Sequence, residues 1–175
     1  MKWLVAMSLL GVLITSAAWA VNDKTLTSNS TQIKIQIVNG CLLNNVATGN
    51  AALGTLNFGD IYKTNTLKDG VTASGNGNIL LRCTPGTTAK ITLGAGLYGT
   101  GTSNRKMRLV SGTSTLNYQL YTSSDRLTVW DDVQGLSIAF SDGATKTFPV
   151  YGRVLAQPTP PSGQYTDQIL ITVSY

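Results

Sequence analysis

The stretch Leu116-Asn117-Tyr118-Gln119-Leu120-Tyr121 alternates apolar side chains with polar or amphipathic ones. Because successive side chains of a strand point to opposite faces, this period of two predicts a β-strand with one buried face. The pattern recurs near both ends of the chain, with Ile33, Ile35 and Ile37 on one face of residues 31–37, and Ile169, Ile171, Val173 and Tyr175 on one face of residues 169–175. No long window after residue 20 has the spacing of an amphipathic helix. The chain is therefore predicted to be all-β.

Shorter apolar stretches separated by turn residues indicate further strands. We predict them at residues 54–58, 78–83, 89–93, 107–110, 127–130 and 146–154. Asp69-Gly70, Thr84-Pro85-Gly86 and Asp142-Gly143 between them have the composition of turns. About eight or nine short strands in about 150 residues predict an antiparallel β-sandwich that is immunoglobulin-like in the broad sense.

Residues 1–20 have the features of a signal peptide. Lys2 gives a positive start, residues 4–14 are mainly apolar, and Ala18-Trp19-Ala20 supplies the small residues that signal peptidase accepts. The apolar stretch is short for a membrane span, although an uncleaved anchor is the alternative. We therefore expect residues 1–20 to be removed and the remaining chain to be exported.

The charge pattern is typical of extracellular β-proteins and does not favour nucleic acid as a partner. The net charge is +5, charged residues make up 12% of the chain, and all 8 acidic residues are aspartate. Arg105, Lys106 and Arg108 form a basic cluster that is too small for a nucleic-acid footprint. We interpret it as part of a solvated loop, with contact to an anionic polymer or a neighbouring subunit as the alternative.

The chain has 2 cysteines, Cys41 and Cys83. In an exported protein such a pair meets an oxidising compartment and usually forms a disulfide. Two separate buried thiols are the alternative.

Catalytic chemistry is not indicated. The chain has no histidine, which removes the commonest general base and transition-metal ligand. The adjacent Asp131-Asp132 is better interpreted as an aspartate-rich turn than as a catalytic pair, because neighbours in a strand face opposite ways. Residues 94–99 match G-x-G-x-x-G, but loop composition follows where a dinucleotide site needs a helix, so we interpret them as a hairpin connection. No enzyme activity, metal or cofactor is expected.

The alternating segment 31–37 has two interpretations. It could be the first strand of its own domain, or a strand that pairs with another molecule. A donated strand needs an extended backbone and apolar residues at every second position, which fill pockets while the backbone completes a sheet. Ile33, Ile35 and Ile37 meet the second requirement.

Several fragments together resemble a known family. They are Gly54-Thr55-Leu56-Asn57-Phe58-Gly59, the stretch from Leu116 to Tyr121 leading to Val129-Trp130-Asp131, Pro149-Val150-Tyr151-Gly152-Arg153, Gly163-Gln164-Tyr165-Thr166-Asp167, and Ile169-Leu170-Ile171-Thr172-Val173. In this order, with a cysteine after the first alternating strand and a second at the end of residues 78–82, they resemble the spore coat protein U family. These are the pilin-type domains of archaic, Csu-type chaperone–usher pili.

The resemblance implies an incomplete immunoglobulin-like sandwich that lacks its last strand. A periplasmic chaperone would lend a strand, and at the outer-membrane usher the N-terminal segment of a neighbouring pilus subunit would replace it. The roles implied for this chain are a donor strand at Thr31, Ile33, Ile35 and Ile37, an acceptor edge for groove and chaperone at Ile169, Ile171, Val173 and Tyr175, and the family disulfide at Cys41 and Cys83.

The resemblance also implies boundaries, a location and a role. Residues 21–40 would be an N-terminal extension with the donor strand, and residues 41–175 the pilin domain of a subunit that reaches the bacterial cell surface. The length leads us to expect a structural or adaptor subunit that supports adhesion and biofilm formation, rather than a two-domain tip adhesin.

Two other functions stay open. One is a spore or cell-surface coat protein of the same domain family. The other is a carbohydrate-binding module with exposed rings from Trp130, Tyr98 and Tyr121. We interpret Trp130 as a core residue instead.

Overall fold

The computed structural model describes residues 33–47 and 53–175. Contacts divide the chain into a unit that ends at Gln36 and a second unit from Ile37 to Tyr175. The predicted signal peptide and residues 21–32, which include Thr31, lie outside the described residues. The predicted domain boundary at residue 40 stays a prediction.

The second unit is built from short antiparallel strands. Within the described residues they are β1 (Cys41–Leu43), β2 (Lys68–Val71), β3 (Ile79–Cys83), β4 (Thr88–Leu93), β5 (Arg105–Leu109), β6 (Thr115–Tyr121), β7 (Leu136–Ala139), β8 (Lys146–Phe148), β9 (Tyr151–Val154), β10 (Tyr165–Thr166) and β11 (Ile171–Ser174). A five-stranded sheet has the order β10-β5-β6-β9-β2, and two three-stranded sheets have the orders β11-β4-β7 and β1-β3-β8. No described residue lies in a helix that could cross a membrane.

The three sheets share one apolar core. Ile79 of β3, Ile91 of β4, Val154 of β9 and Trp130 are fully buried, and the inward side chains of β6 pack against them. The indole Nε1 of Trp130 donates to the Ile91 carbonyl at 2.9 Å, which satisfies its polar atom inside the core. The predicted all-β antiparallel sandwich is confirmed, and so is the interpretation of Trp130.

A disulfide joins the first strand to the third. Cys41 of β1 lies directly opposite Cys83 of β3, and their sulfurs are bonded. The bond closes a loop with a sequence separation of 42 residues. A cross-link over such a loop stabilises the fold by roughly 4 kcal/mol, because it restricts the unfolded chain. The predicted pairing is present, and the alternative of separate thiols is wrong.

The strongest sequence patterns gave the correct strands. The predictions at residues 78–83, 89–93, 107–110 and 116–121 correspond to β3, β4, β5 and β6. The predicted strand at 146–154 is two strands, because Pro149 has no N–H to donate and the Val150 amide bonds to the Thr72 hydroxyl instead, at 2.8 Å.

Three local predictions outside the 53–61 segment are wrong. Residues 127–130 form no strand, since only Val129 makes an isolated bridge, to Tyr121. Asp69-Gly70 is not a turn but the middle of β2. Residues 94–99 do not close a hairpin, because β4 and β5, which they help to connect, belong to different sheets.

Candidate functional site

A long groove of about 1480 Å³ lies between the 53–61 segment and residues 159–171. Its floor is apolar and comes from the inward face of the five-stranded sheet. Leu116, Tyr118 and Leu120 line it from β6, with Met107 of β5 and Val154 of β9 beside them. The groove therefore opens onto the same side chains that form the core.

The first wall is the 53–61 segment, which belongs to no strand. Its Phe58 packs against two glycines that lie opposite each other in the β2–β9 pair, Gly70 and Gly152. A Cβ atom added to Gly152 would lie 2.7 Å from the Phe58 ring, and one added to Gly70 would lie 2.9 Å from it. This packing holds the middle of the wall, while its start is held by hydrogen bonds from the Gly77 amide to the Leu53 carbonyl at 2.7 Å and from the Thr55 amide to the Asn76 side chain at 2.9 Å. No ladder forms, so the strand predicted at residues 54–58 is wrong.

The second wall ends at Ile171, the first residue of β11, which is an edge strand that pairs only with β4 within the described residues. The Leu170 carbonyl accepts a hydrogen bond from the Gly94 amide at 2.9 Å, so the backbone of Leu170 faces β4. Because backbone groups alternate in direction along a strand, those of Ile171 and Val173 face away from β4. These residues therefore present an unpaired sheet edge, while their side chains pack half-buried against the core.

A hydrogen-bonded corner holds the start of this second wall. The Asp167 carboxylate accepts from the Tyr118 hydroxyl at 2.6 Å and from the Leu97 amide at 2.8 Å. Burial raises the pKa of Tyr118, and the hydrogen bond to Asp167 makes a smaller contribution in the same direction. Gly96 lies against the same carboxylate with a φ of 86°, so an added Cβ would be both strained and in collision with Asp167.

Arg105 is fully buried and connects the sheets beneath the groove. Its Nε donates to the Gly94 carbonyl at 2.9 Å, and its Nη2 donates to the carbonyls of Leu93 and Trp130 at 2.8 and 2.7 Å. Its Nη1 donates to the Gln119 side chain. Burial lowers the pKa of this guanidinium, whose charge is solvated by carbonyl dipoles.

The interpretation of the basic cluster as a solvated loop is therefore wrong for Arg105. Its neighbours differ from it within the same strand. Lys106 is half-buried, and the exposed Arg108 guanidinium stacks 4.7 Å from the centre of the Tyr98 ring.

The described donor residues have a different environment from the acceptor residues. Ile33, Ile35 and Ile37 are 94%, 87% and 82% exposed and belong to no strand. Ile169, Ile171 and Val173 are half-buried, while Tyr175 is 60% exposed and lies beyond the end of β11. The donor and acceptor roles of these residues stay predictions.

The structure disfavours the aromatic carbohydrate site. Trp130 is fully buried, Tyr121 is 8% exposed and Tyr98 is half-covered beside Arg108. These three rings therefore do not form an exposed surface on which a sugar could stack.

The interpretation of Asp131 as a turn residue is confirmed. Its Oδ1 accepts from the amides of Val133, Gln134 and Gly135 at 3.1, 2.6 and 3.0 Å. These three donors lower the pKa of the carboxyl, with the Gly135 amide as the largest contributor. Among residues 33–47 and 53–175 no cluster of three or more His, Cys, Asp or Glu could hold a metal ion.

Sequence reasoning missed the glycine pair under Phe58 and the Asp167–Tyr118 corner. A glycine inside a strand signals close approach of another group, so Gly152 carried a usable signal. Gly70 did not, because Asp69-Gly70 also has the composition of a turn. Nothing in the sequence indicates that Asp167 and Tyr118, 49 positions apart, would meet.

The fold and the groove together define an antiparallel β-sandwich with an unpaired sheet edge above its own core. A family model described as the Spore Coat Protein U domain matches residues 27–172, and the chain belongs to that family. Protein U of Myxococcus xanthus is 37% identical over 130 residues, which cover 70% of this chain and 72% of that protein.

Among solved structures, the fold is similar to a chain of the CsuC–CsuE chaperone–tip adhesion subunit pre-assembly complex, from archaic chaperone–usher Csu pili of Acinetobacter baumannii. The TM-score is 0.50 at 18% identity, with 79% of this chain covered. This chain spans 40% of the length of that one, so the likeness concerns the fold.

Proposed function

We propose that this chain is a structural or adaptor subunit of a chaperone–usher surface pilus, assembled by donor-strand exchange. The observation that carries the proposal is the groove between the 53–61 segment and residues 159–171. Within the described residues one wall has no backbone ladder, and the other leads into the unpaired edge of β11. A strand laid between them would bond to the free backbone groups of Ile171 and Val173 and would cover the apolar floor.

The N-terminal segment has the properties that such an insert needs. Ile33, Ile35 and Ile37 alternate with polar residues, and in this chain their side chains are exposed rather than used in its own core. Exposing three isoleucines carries an aggregation hazard, which a partner groove would remove. We therefore assign Thr31, Ile33, Ile35 and Ile37 to the donor strand of a neighbouring subunit.

The same groove accounts for a chaperone and an usher as partners. Before assembly, a strand lent by a periplasmic chaperone would cover the floor, with Ile169, Ile171, Val173 and Tyr175 along the pairing edge. At the outer-membrane usher the donor segment of the next subunit would replace it, which leads to a fibre on the cell surface with roles in adhesion and biofilm formation. Membership of the family and the likeness of the fold support this scheme.

Deletion of residues 31–38 tests the proposal. Because the groove is untouched, the deleted chain should still co-purify with its chaperone, but it should no longer enter the groove of a neighbour. A non-reducing gel of surface extracts should therefore show few or no polymers. Normal polymers from the deleted chain would contradict the donor assignment.

A coat protein of the same family is the second candidate, favoured by the description of the matched family as the Spore Coat Protein U domain. Such a protein would assemble without a dedicated chaperone. Expression of the full chain in a periplasm with and without the candidate chaperone separates the two. A pilus subunit should accumulate to a lower level without the chaperone, because part of it is degraded or aggregates in the periplasm, whereas a self-sufficient coat protein should accumulate equally in both cases.

A further inference from the structure

The charges that line the groove have one sign. Asp60 and Asp167 line it, and no Lys or Arg does so among the described residues, although the whole chain carries a net charge of +5. The Asp167 carboxylate already accepts hydrogen bonds from Tyr118 and Leu97. Asp60 is exposed and has no hydrogen-bond or ion-pair partner in the described part of the chain. One rim carboxylate is therefore available to an incoming group.

The predicted donor segment carries one charge of the opposite sign. In residues 31–38, Thr-Gln-Ile-Lys-Ile-Gln-Ile-Val, Lys34 is the charged residue. Side chains alternate along a strand, so Lys34 faces outward at the rim when Ile33 and Ile35 face into the groove. Its side chain is exposed in this chain, as a group kept for another molecule would be.

We propose that the occupant of the groove is a second copy of this chain, and that Lys34 of the incoming copy pairs with Asp60 of the receiving copy. The inference rests on the proposed function and deepens it. A chain that both offers and accepts the same segment makes a head-to-tail contact, which grows into a filament when its rotation does not close a ring. The chain is thereby a rod-forming subunit and not an adaptor between unlike subunits.

The charge pair also sets the register of the inserted strand. A slip by one residue turns all three isoleucines out of the groove, so the apolar pattern alone excludes it. A slip by two residues keeps the isoleucines inside and moves Lys34 along the rim by about 7 Å. The pair of Lys34 and Asp60 disfavours that second slip, which the apolar pattern does not detect. Lys34 is thus a specificity-determining residue.

A labelled peptide of residues 31–40, titrated into the full chain at low ionic strength, tests the inference. A Lys34→Asp peptide should bind the native chain about threefold to tenfold more weakly than the native peptide, as a like-charge contact replaces an exposed ion pair. An Asp60→Lys chain should lose a similar factor toward the native peptide and should regain most of it toward the Lys34→Asp peptide. High salt should reduce all three differences, because exposed charges are screened.

Matched controls separate this pair from general charge effects. An Asp132→Lys chain has the same change in charge at an exposed aspartate that does not line the groove, and it should bind both peptides like the native chain. Circular dichroism should show each variant chain folded, and Asp60→Asn provides a milder substitution should Asp60→Lys unfold. An Ile35→Asp peptide should not bind, which establishes that binding occurs in the groove.

The outcomes distinguish this inference from the function on which it rests. If the native peptide binds, the Ile35→Asp peptide does not, and the charge exchange has no effect, the pairing of Lys34 with Asp60 is overturned while the strand-accepting groove stands. If donor segments of other subunits bind and the native peptide does not, the second copy is overturned in favour of an adaptor. If neither these segments nor a chaperone binds, the proposed function itself fails.

Discussion

The segments near the two ends of the chain both carry apolar residues at every second position but have different environments. In the C-terminal stretch, β11 pairs with β4 and Ile171 packs half-buried against the core. In the N-terminal stretch, Ile33 is 94% exposed and no residue from 33 to 40 belongs to a strand. A period of two therefore predicts the form of a strand but not the molecule with which it pairs.

Under the proposed function the two segments have opposite roles in one assembly. The C-terminal strand is stabilised by its own sheet and leaves one edge unpaired. The N-terminal segment leaves its apolar side chains without a core. The N-terminal segment of one molecule would pair with the free backbone edge of β11 in a second molecule. The same contact would cover the exposed isoleucines.

The largest effect is expected from Ile35→Asp. A carboxylate placed at the centre of the donor face would have to enter an apolar groove, so assembly should fall by roughly a hundredfold or more. The free energy of unfolding of the single chain should stay unchanged, because Ile35 is 87% exposed there. Polymer length and urea unfolding of the monomer measure the two quantities. Gln36→Asp, at the next outward position, should have little effect on either.

Ile171→Asp, unlike Ile35→Asp, should destabilise the single chain. Its side chain packs against the core, so the charge should lower the free energy of unfolding by about 3 kcal/mol. Urea unfolding checks the value. Leu170→Asp is the matched control, since Leu170 is 73% exposed on the opposite face and should change stability by less than about 0.5 kcal/mol. Equal losses from both variants would contradict the assigned orientation of β11.

Gly152→Ala should displace the wall opposite β11. The new methyl group would lie 2.7 Å from the Phe58 ring, so the 53–61 segment must shift at a cost of about 2 kcal/mol. Thermal unfolding and tryptic cleavage after Lys63 report on the fold and on this wall. Gly101→Ala has no neighbour within 4 Å of the added atom and should leave both unchanged.

Tyr118→Phe should have the smallest effect, about 1.5 kcal/mol, through loss of the hydrogen bond to Asp167. The raised pKa of Tyr118 means that its contribution is complete below the unfolded pKa of about 10 and is lost as the pH rises above it. The stability of the native chain should therefore fall more steeply than that of Tyr118→Phe above about pH 10. Parallel curves from pH 8 to 11 would contradict a buried neutral phenol.

Much of the fold could be predicted because local patterns and tertiary pairing agree. β3, β4 and β6 alternate over five to seven residues and have buried inward faces, so their periodicity is decisive. The 53–61 segment has comparable composition, but its apolar side chains pack on Gly70 and Gly152 instead of completing a ladder. That outcome depends on residues distant in sequence, and β-propensity does not record it.

The groove was less predictable than the strands that border it. The alternation predicted the last strand correctly and made the N-terminal segment a candidate donor, yet the free edge follows from which side of β11 bonds to β4. The buried position of Arg105 was also hidden, because a charged residue is seldom buried without a carboxylate partner. Its four hydrogen bonds to Gly94, Leu93, Trp130 and Gln119 come from three separate parts of the chain.

Hydrogen exchange at the Ile171 and Val173 amides tests most directly whether the groove accepts a strand. We expect these amides to exchange rapidly in the dilute full chain, because no strand of residues 33–47 or 53–175 covers this edge, and to become protected when a peptide of residues 31–40 is added. The Thr172 amide, which faces β4, should be protected in both states. Equal protection of all three amides before the peptide is added, with no change afterwards, would contradict the unpaired edge and the assembly built on it.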